Sequence, residues 1–568
     1  MHKKHCLCCL FILLISLLIS SCTNPNKNIP ENAIVGYVKN EEGIVPNAVV
    51  RVQTSKNESN SDENGYFELL NISANDSVII TAWSEGHFIG WIEAIPSQEP
   101  ITIQLTQYDT SDNPDYEWLP SEYHPGEGEH QGCAACHSNE GTQDTTLLPV
   151  DEWLMDAHSQ SASNPRFITM YNGTDISGNQ SSATRYANSR DYGKFPLPPD
   201  LTKPYYGPGY KLDFPNSDGN CAACHTPAAS VNAPYGVNPT TVEGVAAEGI
   251  PCDFCHKISN VRLDPASQLP YKNMPGVLSF EFQRPPEGHQ VFIGPLDDVA
   301  PGEDTYSPLQ KESAFCAPCH QSEFWDTTIY NSYGEWLDSP YSDSDSGQTC
   351  QDCHMPSGGA DHFALLEMGG LLRDPETIPS HKMLGVMDEA FMQDAISITV
   401  TASREGERIS VQVDIFNDNT GHHIPSDSPL RHMILVVEAF DEHDQRLSQS
   451  SGPVVEDYAG IGDPAAGYYA GLPGKVFAKI LKELWTDISP SGSYWNPTTI
   501  ISDNRIPAMQ TDSSTYTFSA SDQGPISLKV QLFYRRAFIE IMDQKGWQVP
   551  DMLIAAEEMV IPEGSKGD

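Results

Sequence analysis

Hydrophobic and polar positions change rhythm along the chain, and the changes divide it. Residues 1–21 place Lys3 and Lys4 ahead of an apolar run, 10–19. That is the layout of an export signal, and the run is too short for a comfortable membrane span. Residues 22–30 are polar and read as a tether. From 31 to 107, apolar residues recur in short runs: Ile34-Val-Gly-Tyr-Val38, Ala48-Val-Val-Arg-Val-Gln53, Tyr66-Phe-Glu-Leu-Leu70, Ser77-Val-Ile-Ile-Thr-Ala-Trp83 and Ile101-Thr-Ile-Gln-Leu105. Turn-rich segments separate them, which predicts a small β-sandwich, with His87 as a surface strand residue. Residues 108–387 lose regular periodicity and are crowded with Gly, Pro, Asn and Tyr. A mainly α and irregular domain is expected there. From 388 to 568 alternation returns, in Ile396-Ser-Ile-Thr-Val-Thr401, Ile409-Ser-Val-Gln-Val-Asp-Ile-Phe416, Met433-Ile-Leu-Val-Val-Glu-Ala-Phe440, Thr515-Tyr-Thr-Phe518 and Ile526-Ser-Leu-Lys-Val-Gln-Leu-Phe-Tyr534. Arg404-Glu-Gly-Glu407 joins the first two as a hairpin. The pattern predicts a second β-sandwich with a long insertion, 454–507, in which 475–485 reads as a short helix.

The aperiodic middle has a different organiser. Cys133-Ala-Ala-Cys136-His137, Cys221-Ala-Ala-Cys224-His225, Cys252-Asp-Phe-Cys255-His256, Cys316-Ala-Pro-Cys319-His320 and Cys350-Gln-Asp-Cys353-His354 are one motif, C-x-x-C-H, five times over. A redox dithiol or half a zinc site also uses C-x-x-C. The following His decides for c-type haem attachment: two thiols add across the porphyrin vinyl groups and the adjacent imidazole reaches the iron. With 18 His in 568 residues, five such sequels by chance are rarer than about one in ten million. Five covalently bound haem c groups are therefore expected. Covalent cofactors also explain how a loop-rich segment has a core, since they supply the buried apolar surface. From first Cys to first Cys the spacings are 88, 31, 64 and 34 residues. The short intervals predict that the second haem neighbours the third and the fourth the fifth.

Each iron has a second face. Candidate distal ligands are His124, His130, His158, His289, His362 and His381 in the middle segment, and His422 and His423 in Asn419-Thr-Gly-His-His-Ile-Pro425. Eight candidates for five irons favour bis-His ligation of most or all haems, with three of the eight left as ordinary polar residues. His158, His381 and one of His422 or His423 stand foremost. Gly421 and Pro425 suit a turn that presents an imidazole at fixed geometry, and Arg431 is available to a propionate.

Several stretches resemble known families. Gly36-Tyr-Val38, Gly43-Ile-Val-Pro46-Asn-Ala48-Val-Val50 and Asp62-Glu-Asn-Gly65-Tyr-Phe67 resemble the carboxypeptidase regulatory-like (transthyretin-like) domain, a non-catalytic module. Glu152-Trp-Leu-Met-Asp-Ala-His158, the pair Glu335-Trp336 ahead of Cys350-Gln-Asp-Cys-His-Met-Pro356, and Glu248-Gly-Ile-Pro-Cys-Asp-Phe-Cys-His256 resemble multihaem cytochromes related to hydroxylamine oxidoreductase and its tetrahaem electron acceptor. In that group the His after the Glu-Trp segment commonly ligates a haem distally, which implies that role for His158. The matching stretch before the fifth motif reads Ser339-Pro-Tyr341, with no His. The Gly421-His-His-Ile-Pro425 turn with Arg431 resembles a module fused C-terminally to multihaem cytochromes.

Ile19-Ser20-Ser21-Cys22 resembles a bacterial lipobox, which implies a lipid-modified Cys22; plain signal cleavage with Cys22 incidental is the rival reading. Cys6, Cys8 and Cys9 leave with the signal, and every later cysteine after Cys22 lies in a motif. An exported, membrane-anchored lipoprotein is expected, in the outer membrane facing the periplasm or the cell surface. The formal charge of -45 excludes nucleic acid as a partner and keeps an exported protein soluble; it would also steer a cationic redox partner, such as another cytochrome. Function then reads as electron transfer. The alternative is a reductase or oxidase of nitrite, hydroxylamine or tetrathionate at one open haem. Against it, no C-x-x-C-K motif occurs, and hydroxylamine oxidoreductases usually carry eight haems.

Overall fold

The computed structural model describes residues 29–97, 99–122, 132–140, 142–299, 302–520 and 524–563. The signal segment, Cys22, His124 and His130 lie outside the described residues. Two compact units form: residues 1–84 with 90–105, and residues 85–89 with 106–568.

The first unit is two four-stranded sheets. One pairs Gly43–Ile44, Ile34–Asn40 and Tyr66–Leu69 antiparallel, with Ile101–Gln104 added parallel to Ile34–Asn40; the other runs Glu58–Asn60, Val49–Val52, Val78–Trp83, Gly90–Ala94. Ile34, Val38, Val50, Phe67, Ile80 and Ile103, from both sheets, share one buried cluster. Gly36 is required where the parallel pair meets, because a Cβ there would stand 2.5 Å from the Ile101 carbonyl oxygen. Asp62 Oδ1 accepts the N–H groups of Asn64 and Tyr66, both at 2.8 Å, and turns the chain into the third strand.

In the second unit the motif segment departs from a mainly α domain. Its helices run four to eight residues, the longest being Pro165–Asn172, and four two-stranded ladders lie among them. Gly173 stops Pro165–Asn172 in a left-handed cap, and Pro340 and Pro356 follow closely on the ends of Ser332–Leu337 and Cys350–His354. His87, expected on a surface strand, is buried at 6% exposure in a bridge with Gln107.

The C-terminal region is a four-stranded sheet, Ser397–Glu405, Arg408–Phe416, Thr511–Ser519, Ser448–Ser451, and a five-stranded sheet, Thr498–Asp503, Gly474–Glu483, His432–Phe440, Ile526–Arg535, Met552–Ile561. Glu405 pairs with Arg408 across the expected hairpin. Residues 475–485 are not helical: Gly474–Glu483 is a strand beside His432–Phe440, so 454–507 supplies two strands of the sheet. The misreading has a physical cause. Phe477 belongs to the core between the sheets, while Val476, Ala478 and Ile480 join a second cluster on the outer face with Met170, Tyr171 and Tyr210 of the motif segment. A strand buried on both faces loses its period-two signature and can be mistaken for a buried helix. The motif segment is thus packed on this sheet. Among the described residues no helix is long and apolar enough to cross a membrane.

Candidate functional site

Every C-x-x-C-H sits on a helix of one turn: Ala134–His137, Ala222–His225, Cys252–Cys255, Ala317–His320 and Cys350–His354. The first Cys carbonyl accepts the His N–H at 3.0 Å for Cys133 and Cys221 and at 3.1 Å for Cys252 and Cys316. This turn puts two thiols and an imidazole on one side of a short rod. All ten cysteines are free and partly buried.

The motif imidazoles are held from behind. Nδ1 of His137 lies 2.7 Å from the Phe363 carbonyl oxygen, that of His225 3.3 Å from Ser161 O, that of His256 2.8 Å from Ile293 O and that of His354 2.6 Å from Leu384 O. His320 differs: its Nδ1 faces a carboxylate, Asp427 Oδ2, at 3.2 Å. Such bonds orient a ring and leave Nε2 for a metal. Burial pushes His225 and His354 down to about 4, and lowers His137 and His256, which favours the neutral, ligating form. Burial lowers His320 too, but Asp427 outweighs it and the net shift is upward.

Three motif imidazoles face a second imidazole across a gap. His256 and His381 have ring centres 6.4 Å apart, His320 and His158 6.3 Å, and His354 and His422 6.3 Å. Rings in van der Waals contact would be closer. The gap leaves room for a metal that takes one nitrogen from each ring at about 2.0 Å. Burial holds His381 down to about 3. Behind His158, Asp156 Oδ2 lies 2.6 Å from Nδ1.

The other candidates are placed differently. His423 points its Nδ1 at Glu335 Oε1, 3.6 Å away, and His289 is exposed on a turn. His362 is buried with Nδ1 2.7 Å from Asp361, and faces no motif imidazole. Among the described residues His137 and His225 have no imidazole counterpart. Phe167 instead stacks on His225 at 3.7 Å with the rings 4° from parallel.

The thiols come together across motifs. Cys133 and Cys252, Cys224 and Cys319, and Cys316 and Cys350 are each within hydrogen-bonding reach. The fourth and fifth motifs are neighbours, as their spacing predicts. The thiols of the second motif meet those of the fourth, and those of the third meet the first, while Ala223 of the second motif shares one apolar cluster with Phe254 and Cys255 of the third.

Two residue types escaped the sequence reading. One is the pair Asp156 and Asp427, the carboxylates behind His158 and His320; Asp427 has no motif to mark it. The other is the pair of Glu-Trp segments, visible as motifs but not in role. Trp153 Nε1 donates to Ile250 O and Trp336 Nε1 to Gln348 O, both at 2.9 Å, and each acceptor lies two residues ahead of a motif. Glu152 Oε2 accepts the His381 N–H at 2.7 Å, and Glu335 Oε2 the His423 N–H at 3.1 Å. Each pair thus clasps a motif helix to the loop that carries the facing imidazole.

The residues suit covalent haem. Each motif turn presents two thiols and an imidazole, the set that covalent haem takes, and among the described residues no cluster of three or more His, Cys, Asp or Glu could hold a bare metal ion.

The fold is similar to that of a pentahaem cytochrome. The solved structure is the penta-heme cytochrome c552 from Thermochromatium tepidum, 19% identical, aligned over 76% of this chain and 97% of that one, with a TM-score of 0.50. The Fcho1 Mu homology domain of Danio rerio with bound Eps15 peptide (11% identity, 30% of this chain and 44% of that one, TM-score 0.12) and the PapD-like domain 7 of human CEP192 (9%, 30% and 87%, TM-score 0.13) carry no argument at those scores. No protein-family model matches the chain, and no curated protein matches it.

Proposed function

We propose that this chain is a multihaem c-type cytochrome that transfers electrons, with haem attached at Cys133/Cys136, Cys221/Cys224, Cys252/Cys255, Cys316/Cys319 and Cys350/Cys353. In this reading His256 and His381, His320 and His158, and His354 and His422 are the axial pairs of three haems. The observation that carries it is the triple recurrence of facing imidazoles at 6.3–6.4 Å, each pair with one member from a C-x-x-C-H helix. Haem so ligated supplies one-electron chemistry with no vacant site. The chain's own part is to hold ligands, exclude water and bring the attachment helices into contact. Electron tunnelling falls steeply with edge-to-edge distance, and three thiol contacts between motifs keep those edges close. The N-terminal unit serves as a spacer, and lipid on Cys22 as the anchor, set in the outer membrane. The partner is a redox protein with a cationic face, matched to the charge of -45.

Two measurements test this. Mass spectrometry of the mature protein should show five haem additions, and three or fewer would overturn the attachment reading. Electron paramagnetic resonance of the oxidised protein should show at least three low-spin haems; a spectrum dominated by high-spin signals would refute the axial pairs. Reduction of a small nitrogen or sulfur compound is the second reading. It has one observation in its favour, the lack of an imidazole facing His225 among the described residues, and a high-spin component assigned to that haem would support it.

A further inference from the structure

Three arginines from distant parts of the chain converge beside the second motif. Arg431 directly precedes the strand His432–Phe440, and Arg536 directly follows Ile526–Arg535. These strands are antiparallel neighbours with His432 opposite Arg535, so the two arginines are brought together at one end of the sheet. Arg166 opens the helix Pro165–Asn172, one residue before the Phe167 ring stacked on His225. Phe167, Leu430 and Ala537, the sequence neighbours of the three, share one apolar cluster.

Among the described residues none of the three arginines forms an ion pair. Arg431 donates to Ser426 O at 3.3 Å, and Arg536 to Val386 O and the Met387 sulfur, both at 2.8 Å. The nearby carboxylate, Asp427, is committed to His320 and to Ser332 Oγ at 2.6 Å. Burial and the guanidiniums of Arg536 and Arg431 hold Arg166 down to about 10. Tyr534 completes the set. It is 2% exposed, its hydroxyl has no hydrogen-bond partner, and its electrostatic neighbours are Arg431, Arg536, Arg166 and Asp427. A buried hydroxyl without a partner costs free energy, and so does a cluster of unneutralised guanidiniums. Both costs vanish when an oxyanion accepts from them, the group that guanidinium forks and a phenol O–H fit best.

We propose that Arg166, Arg431, Arg536 and Tyr534 form a buried oxyanion-binding site beside the haem attached at Cys221 and Cys224. Two sources share that chemistry, a free small oxyanion and a porphyrin propionate. Tyr330 O–H donates to Tyr494 Oη at 2.8 Å, and Tyr494 lies near Cys221 and Cys224 while Tyr330 lies near Arg431, which places the site against that haem. The proposal stands whether the protein only relays electrons or also reduces a substrate.

The test is calorimetric titration of the haem-loaded protein with nitrite and with inorganic sulfate at low ionic strength, beside potentiometric titration of its haems. Saturable one-to-one binding that weakens roughly tenfold or more in Arg431→Gln, and by a smaller factor in Tyr534→Phe, assigns the site to a free oxyanion. No response to added anion, with the midpoint of one haem shifted in both variants, assigns it to a propionate. The absence of both anion binding and a shifted midpoint overturns the proposal. Tyr534→Phe removes only a hydroxyl, so the question stays open to decision if Arg431→Gln fails to load haem.

Discussion

The stretch from Glu152 to His158 and the stretch from Glu335 to Tyr341 begin as one device and end as two. Both start on a six-residue helix, Pro149–Leu154 or Ser332–Leu337, with a buried Glu followed by a Trp whose N–H holds the chain entering a motif. A serine hydroxyl caps the first Cys N–H in each case, Ser121 on Cys252 at 3.0 Å and Ser313 on Cys350 at 2.9 Å. Six residues after the Glu they diverge. His158 turns outward to face His320, whereas Tyr341 packs its ring against Gly421 and donates to Asp418 O at 2.9 Å. The first stretch turns an imidazole toward another motif; the second seats the turn that presents His422. A Cβ on Gly421 would lie 3.2 Å from the Trp336 ring and 3.4 Å from Tyr341, so the glycine lets that turn come close. One framework thus holds two C-x-x-C-H motifs, and a single position decides whether it also turns an imidazole toward a neighbour.

The sharpest way to break this comparison is to remove the imidazoles. His158→Ala, His381→Ala and His422→Ala should each convert one low-spin haem to high-spin in paramagnetic resonance. His423→Ala and Tyr341→Phe should leave the spectrum as it was. If His423→Ala produces the high-spin signal and His422→Ala does not, the axial pair on the fifth motif is misassigned.

The clasps themselves should differ in strength. Glu335 is paired at 2.7 Å with Arg505, both nearly buried, whereas no guanidinium stands against Glu152. Glu335→Ala removes a charge-assisted hydrogen bond from a guanidinium that keeps Asp503 at 2.8 Å, and should cost about 3 kcal/mol. Glu152→Ala loses hydrogen bonds and should cost about 1–3 kcal/mol. Denaturant midpoints followed through haem absorbance would measure both, and equal losses would refute the distinction.

His158 and its partner also carry a smaller asymmetry. They are backed by Asp156 and Asp427, while the other motif imidazoles rest on carbonyls. Carboxylates on both axial imidazoles raise ligand basicity and stabilise ferric iron. Asp427→Asn and Asp156→Asn should each raise the midpoint potential of one haem in a potentiometric titration, and an unchanged set of midpoints would count against the effect.

The smallest effect expected is one of pH. Burial raises the Glu152 carboxyl above its ordinary value, partly offset by the His381 N–H and Ser380. The folded state therefore binds this proton more tightly than the unfolded chain. The stability it contributes is full below the unfolded value and is lost as pH rises through the folded one. The melting temperature of Glu152→Gln minus that of the wild type should climb with pH over that interval and then level off; a difference independent of pH would remove burial as the cause.

The sequence carried some of this and hid the rest for physical reasons. Covalent haem attachment needs two thiols and an imidazole at fixed offsets, so the five motifs are legible residue by residue. Counting imidazoles brought out His158, His381 and one of His422 or His423, but not which of the last two or which motif each faces, because His381 meets His256 and His422 meets His354 only after the chain has packed. Asp427 matters through one contact with His320, and nothing in its flanking residues marks it. The strands with clear alternation were plain, but Gly90–Ala94, Ser448–Ser451, Thr498–Asp503 and Met552–Ile561 were not read. Gly474–Glu483 reads as a helix because its second face is covered by Met170 and Tyr171, a partner no local pattern reveals.

The cysteine contacts bear on the order in which the protein is made. Thiols in reach of one another oxidise in an exported compartment. A chain that folded before cofactor loading would join Cys133 to Cys252, Cys224 to Cys319 and Cys316 to Cys350, removing six of the ten motif cysteines from use. On the proposed function, haem attachment must outrun folding. Peptide mapping of protein made without the ligation machinery should find those three crosslinks between motifs; bridges within single motifs in their place would mean that the thiols react before the chain has drawn together.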